Sequence, residues 1–194
     1  MASLGWGIIG IGRIADTAVA PGIAKSADGK LVGAVSRDQD RANAFAAKHG
    51  AELATTSYEE LLNHRGVDIV YIATPNDQHP EQCIAAAKAG KHVLCEKPLA
   101  LEVAEARRMV SACQEAGVRM GTCFQTRHHA AFAHARQLLD EGAIGDPVLV
   151  QIETSSGATP PQGWRLNQEQ AGIGALNNIG VHPLDLLRFL LAAR

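Results

Sequence analysis

Trp6-Gly7-Ile8-Ile9-Gly10-Ile11-Gly12-Arg13-Ile14-Ala15 is the stretch that decides how this chain folds. Its first part, Trp6–Ile11, is short and apolar and reads as a strand buried on both faces. Gly10, Gly12 and Ala15 then fit the G-x-G-x-x-G/A spacing. In that spacing the glycines turn the chain sharply and let its backbone approach a pyrophosphate at a helix N-terminus. The same spacing also occurs where a glycine turn serves only packing. Here it opens a strand–turn–helix series, the context in which it means dinucleotide binding.

The series continues outward from that turn. Leu31–Ser36, Ile69–Ala73, His92–Cys95 and Arg119–Thr122 are further strand-like runs, with Glu52–Thr55 a weaker one. Asp38–His49 reads as a helix. Ser57 and Glu60 have the spacing of a capping box opening a short helix through Asn63. Glu102–Ala116 places Val103, Ala106, Val110 and Cys113 on one helical face. Gly90 and Gly117 stand where helices should stop. A βαβα order over about 120 residues predicts the α/β class, a Rossmann doubly wound parallel sheet. After Thr122 the rhythm changes to a helix from about Ala130 to Glu141, an alternating strand Val148–Ser155, a loop Gly157–Gly163 and a last helix carrying Leu184, Leu187 and Leu191. The expected division is 1–124 for the nucleotide domain and 125–194 for the start of a second, truncated α+β domain.

Composition narrows the function. The 194 residues carry 18 basic and 20 acidic side chains, a net charge of −2, so nothing draws the chain to nucleic acid or an anionic membrane. No apolar run approaches the roughly 20 residues of a membrane helix. No basic n-region precedes the first strand, so no signal peptide is expected. The four cysteines, Cys83, Cys95, Cys113 and Cys123, form no CxxC pair. A reduced, cytoplasmic setting without a metal site is expected. His128-His129 reads as solvated surface.

The second strand bears on the cofactor. An NAD site usually has an acidic residue near that strand's end, about 20 residues beyond the fingerprint. Ser36-Arg37 stands there instead, with Arg41 one turn on. A hydroxyl and two guanidinium groups suit the 2′-phosphate of NADP rather than NAD. The other reading, in which Arg37 and Arg41 only decorate a helix start beside Asp38 and Asp40, stays open.

Two more clusters complete the pattern, Ala73-Thr74-Pro75-Asn76-Asp77-Gln78-His79 and Gly90-Lys91-His92-Val93-Leu94-Cys95-Glu96-Lys97-Pro98. With the fingerprint they resemble the glucose–fructose oxidoreductase/inositol dehydrogenase/rhizopine-catabolism (Gfo/Idh/MocA) family over essentially the whole chain. Gln162-Gly163-Trp164-Arg165-Leu166 resembles its NADP-dependent anhydrofructose reductase branch. The resemblance implies that Gly10, Ile11, Gly12, Arg13 and Ile14 wrap the pyrophosphate and that Ser36, Arg37 and Arg41 hold the 2′-phosphate. It implies that Thr74, Pro75, Asn76 and His79 line the nicotinamide-side ribose, with Glu96 and Lys97 beside the nicotinamide. Arg127 fits a basic position after the last strand of the first domain, and Trp164 and Arg165 would close over the cofactor. The Lys97–Pro98 peptide would be cis.

For chemistry, the resemblance points to Lys97 and His182. A lysine at the carboxyl end of a parallel strand faces the ligand crevice, where its ammonium stabilises charge developing on a substrate oxygen. Imidazole suits proton exchange near neutral pH. Positions 178, 182 and 185 share a helical face by spacing, so Asn178 and His182 are substrate candidates and Asp185 a group to orient His182. The family's acid is Asn178 here, and an amide carries no proton. Cys123 replaces an Asn of the branch. The implied activity is an NADP-dependent dehydrogenase or reductase acting on the CH–OH group of a sugar or related polyol or carbonyl compound. The family's second domain is an open, mostly antiparallel sheet that commonly mediates oligomerisation, so a homo-oligomer is expected. Most of that sheet lies outside these 194 residues. A non-catalytic NADP-binding protein, or an inactive fragment of such an enzyme, is the alternative.

Overall fold

The computed structural model describes residues 3–154 and 162–191. The chain divides into two compact units, Met1–Thr122 and Cys123–Arg194.

The first unit is built on six parallel strands, β1 (Leu4–Ile9), β2 (Gly29–Val35), β3 (Leu53–Thr55), β4 (Ile69–Ile72), β5 (His92–Cys95) and β6 (Met120–Thr122). Their order across the sheet is β3-β2-β1-β4-β5-β6. All the pairings are parallel, with a register shift between Trp6 and Gly7 in the β1–β2 pair. The order reverses direction between β1 and β4, the topological switch point at which open α/β sheets bind ligands.

Five helices connect these strands: α1 (Ala20–Lys25), α2 (Gln39–His49), α3 (Tyr58–Asn63), α4 (His79–Lys88) and α5 (Val103–Glu115). A π-helical turn, Ala15–Val19, leads into α1. Local chemistry sets the helix starts. The Asp38 carboxylate accepts from the Arg41 backbone N–H at 3.0 Å and the Ser57 hydroxyl from that of Glu60 at 3.1 Å. Strands β1, β2 and β4 are almost wholly buried, as continuous apolar runs predict. Leu61 of α3 rests directly on Gly7 and Gly33 of adjacent strands, where a Cβ would collide with it. That close approach requires glycine at these two positions.

Helix α5 departs from its expected face. Met109 and Cys113 are the buried residues, whereas Val103 is 70% exposed and Val110 also faces outward. The helix packs against α4, with the Cys113 and Cys83 sulfurs 3.8 Å apart, and this contact rotates the buried stripe onto Ala106, Met109 and Cys113.

The second unit holds a 3-10 turn (Gln125–His128), α6 (Ala130–Asp140), a 3-10 turn (Gly163–Leu166), α7 (Gln168–Ala171), a π-helical turn (Leu176–Gly180) and α8 (Val181–Leu190). The expected strand Val148–Ser155 is not formed over 148–154, and Ser155 lies outside the described residues, as does most of the Gly157–Gly163 loop. Alternation specifies two faces, but a strand exists only against a hydrogen-bonded neighbour, and this segment has none among the described residues. Val148 is accordingly 99% exposed. No helix among the described residues is long and apolar enough to cross a membrane.

Candidate functional site

At the switch point the backbone of the Gly10 turn meets the loop after β4. Ala73 N–H donates to the Ile9 carbonyl at 2.8 Å, and Gly10 N–H donates to that of Val35 at 3.1 Å. Gly10 has φ +94°, and a Cβ there would lie 2.7 Å from the Ala73 carbonyl carbon. Gly12, two residues on, differs: a Cβ built on it meets nothing within 4 Å. The turn is thus closed beneath Gly10 and open above Gly12, a cradle shaped for a group approaching the backbone. Ile11 is buried, while Arg13 and Ile14 face outward. Asp16, in the turn that follows, is held by Lys48 at 2.8 Å and His49 at 2.7 Å of α2, which keep its carboxyl below the usual range. That pairing offsets an anion that would otherwise oppose a phosphate.

Beyond β2, Ser36 is buried and its hydroxyl accepts from Asp38 N–H at 3.3 Å. Arg37 and Arg41 are exposed, and among the described residues no ion pair engages either guanidinium. The Asp38 carboxylate is turned to the start of its own helix, where it accepts from Arg41 N–H.

The loops after β4 and β5 form a connected frame. Thr74 donates its hydroxyl proton to Gln82 Oε1 at 2.6 Å, and Asn76 is buried. His79 is 0% exposed; its Nδ1 lies 3.0 Å from the Pro98 carbonyl oxygen and its Nε2 lies 3.1 Å from that of Thr74. Burial holds this imidazole below its ordinary pKa, against hydrogen bonds that raise it. Glu96 accepts from the Tyr71 hydroxyl at 2.6 Å through one oxygen and from Lys97 N–H at 3.2 Å through the other. Lys97 is half-buried, and the Lys97–Pro98 peptide is cis, as the resemblance implied. The structure therefore brings Gly10–Ile14, Thr74–His79 and Glu96–Pro98 to the carboxyl ends of neighbouring strands. Tyr71 and Gln82 were not among the expected residues. Tyr71 had a signal: a phenol in a strand buried on both faces needs a partner for its hydroxyl.

In the second unit, Asp185 is buried and accepts from both Nε and Nη2 of Arg127 in a two-point fork, a partner the sequence reading did not name. The pair raises the Arg127 pKa. Arg127 also sits 5.8 Å from the centre of the Phe189 ring. Asn178 lies exposed on the π-helical turn and His182 is half-buried at the start of α8, edge-on to Phe124 at 6.3 Å. Burial thus rises from Asn178 to Asp185, which turns inward to a cation 58 residues away in sequence. Trp164 is half-buried with the Arg165 guanidinium 4.6 Å over its ring.

The sheet order, the glycine cradle at the switch point and the basic end of β2 define a Rossmann-type dinucleotide fold. Residues 4–124 match the oxidoreductase family with the NAD-binding Rossmann fold, and residues 132–194 match the Gfo/Idh/MocA C-terminal domain. The chain belongs to the Gfo/Idh/MocA family. It is similar to the 1,5-anhydro-D-fructose reductase of Ensifer adhaerens, with 43% identity over 96% of this chain and 56% of the relative. Among solved structures, a levoglucosan dehydrogenase in complex with NADH superposes with a TM-score of 0.81 at 30% identity, covering 97% of this chain and 54% of that one. A variant 3-ketoreductase of Actinomadura kijaniata in complex with TDP-benzene and NADP gives 0.84 at 30% identity, covering 97% and 57%. The chain spans a little over half the length of the curated relative and of these two solved chains.

Proposed function

We propose that this chain carries the nucleotide-binding part and the opening of the substrate domain of an NADP-dependent oxidoreductase acting on a sugar or related polyol or carbonyl compound. The observation that carries the cofactor choice is the pair of exposed guanidinium groups, Arg37 and Arg41, following buried Ser36, with no ion pair to an acidic side chain among the described residues. Two cations recognise a phosphate dianion through charge-assisted hydrogen bonds, whereas a ribose diol calls for an acceptor carboxylate. The fit of the remainder rests on the Gly12 cradle, whose open space admits a pyrophosphate against backbone N–H groups. Ile11, Arg13 and Ile14 complete that turn, and Thr74, Pro75, Asn76 and Glu96 border the crevice further along.

Bound there, the nicotinamide would supply or accept the hydride. In this reading Lys97 holds the substrate oxygen and stabilises negative charge on it. Its approach is set by Glu96, which fixes the Lys97 backbone N–H, and by Tyr71, which fixes Glu96. From the second unit, His182 exchanges the proton of that oxygen, Asn178 orients a substrate hydroxyl, and Arg127, Trp164 and Arg165 serve the cofactor. We further propose a homo-oligomer in the cytoplasm. Titration with NADPH and NADH, followed by nicotinamide fluorescence, tests the cofactor choice. NADPH binding at least tenfold tighter than NADH, with the difference abolished in Arg37→Ala/Arg41→Ala, is expected. Equal affinities in the unmodified chain would overturn it.

A further inference from the structure

His79 joins the two loops bearing the candidate residues of the first unit through both of its ends. Thr74 follows β4 and opens the Thr74-Pro75-Asn76 segment, while Pro98 follows β5 and closes Glu96-Lys97. The imidazole stands at the first residue of α4, fully buried, with Nδ1 3.0 Å from the Pro98 carbonyl oxygen and Nε2 3.1 Å from that of Thr74. A neutral imidazole carries one N–H, so one carbonyl accepts its hydrogen bond and the other meets the second nitrogen in close contact; with no exposed surface, the ring has no polar edge left for a ligand. The family resemblance implied a place for His79 beside the ribose; its side chain is buried against the Thr74 and Pro98 carbonyls.

We propose that His79 is a positioning residue that fixes the spacing between the Thr74–Asn76 loop and the Lys97 loop, and so sets where Lys97 stands relative to the bound cofactor. The proposal rests on the nucleotide-binding reading above. Its reasoning is mechanical. The flanking strands are held by their ladders, but each loop leaves the sheet after its last ladder bond, Ala73 N–H to Ile9 and Glu96 N–H to Ile72. Past those bonds a side chain shared by both loops restrains their independent movement. The Thr74 hydroxyl is taken by Gln82 of α4 and Glu96 is taken by Tyr71, so each loop is separately anchored, and His79 is the bridge between the anchors.

The two arms can be cut one at a time. His79→Asn retains an amide at the Nδ1 position and so the contact with Pro98, while losing the one to Thr74. His79→Gln reaches the Nε2 position and keeps Thr74, while losing Pro98. Two readouts apply to each variant: NADPH affinity, and the ¹³C resonance of reductively methylated Lys97, assigned against Lys97→Arg. The expected result is crossed. His79→Asn binds NADPH about three- to tenfold more weakly, with the Lys97 resonance unmoved. His79→Gln shifts the Lys97 resonance and its titration while changing NADPH affinity less than twofold.

A merely structural histidine would lower the melting temperature of both variants alike and move neither readout in the folded protein. That result overturns the proposal, as does failure of both variants to fold. If the unmodified chain binds neither NADPH nor NADH, the cofactor reading fails on its own. The Lys97 resonance then still tests the Pro98 arm: unmoved in His79→Gln, it refutes the bridge.

Discussion

Replacing Gly10 and Gly12 by alanine, one at a time, separates folding from binding within a single turn. At Gly10 an L side chain must adopt φ +94°, far from its allowed regions, which costs of order 1–3 kcal/mol. Its Cβ would also lie 2.7 Å from the Ala73 carbonyl carbon and oxygen and 2.9 Å from Thr74 N. These are backbone atoms tied to β1 by the Ala73–Ile9 bond, so they yield only with the strand, at about 1–3 kcal/mol of overpacking. The sum, roughly 2–6 kcal/mol, is a large part of the ~5–15 kcal/mol that stabilises a domain. Gly12 has neither a positive φ nor any atom within 4 Å of its Cβ, so Gly12→Ala stays within about 0.5 kcal/mol in stability. That methyl nevertheless occupies the cradle, and NADPH affinity falls at least tenfold. Urea unfolding followed by Trp6 fluorescence in a Trp164→Phe background reports the first unit. Unchanged unfolding of Gly10→Ala, or undiminished NADPH binding by Gly12→Ala, would refute the account of this turn.

Asp185→Asn leaves the half-exposed Arg127 without its counter-charge and loosens α8; the second unit should lose about 1–3 kcal/mol, read as increased amide exchange in Val181–Leu190. His79 is held below its ordinary pKa of 6.5 by burial, so the unfolded chain takes up its proton first as the pH falls. Stability is therefore fully present above about pH 6.5 and declines below it until the folded-state pKa is passed, with a slope of at most about 1.4 kcal/mol per pH unit from this group. His79→Gln should remove that part of the decline, and identical pH profiles of urea midpoints in the two proteins would show that another group titrates. Lys97→Met should leave NADPH binding within about twofold while abolishing hydride transfer to a sugar or polyol substrate, assayed by nicotinamide absorbance; full turnover would remove Lys97 from the chemistry.

Much of the first unit was legible because its signals are local. A strand buried on both faces must be apolar throughout, and a helix must satisfy its first N–H groups, as Asp38 and Ser57 do. The fingerprint was legible for the same reason, since steric freedom at Gly10 is a property of one residue. Helix α5 shows where this ends. Its sequence permits more than one apolar stripe, and contact with Cys83 on α4 selected Met109 and Cys113 over Val103 and Val110. Tyr71, Gln82 and the Arg127 partner of Asp185 were missed because each acts through a group on another element.

The amino-acid sequence by itself determined the alternation of elements, the glycine turn, the basic end of β2 and the family, since all of these depend on residue type and short spacing. Tertiary structure decided the rest. It turned Asp185 onto Arg127, left 148–154 without a ladder and placed His79 between two carbonyls. The physical reason is common to all three. A buried charge, a strand edge and an imidazole are each defined by the group that satisfies them, and that group is chosen by the packing of distant segments rather than by neighbours in sequence.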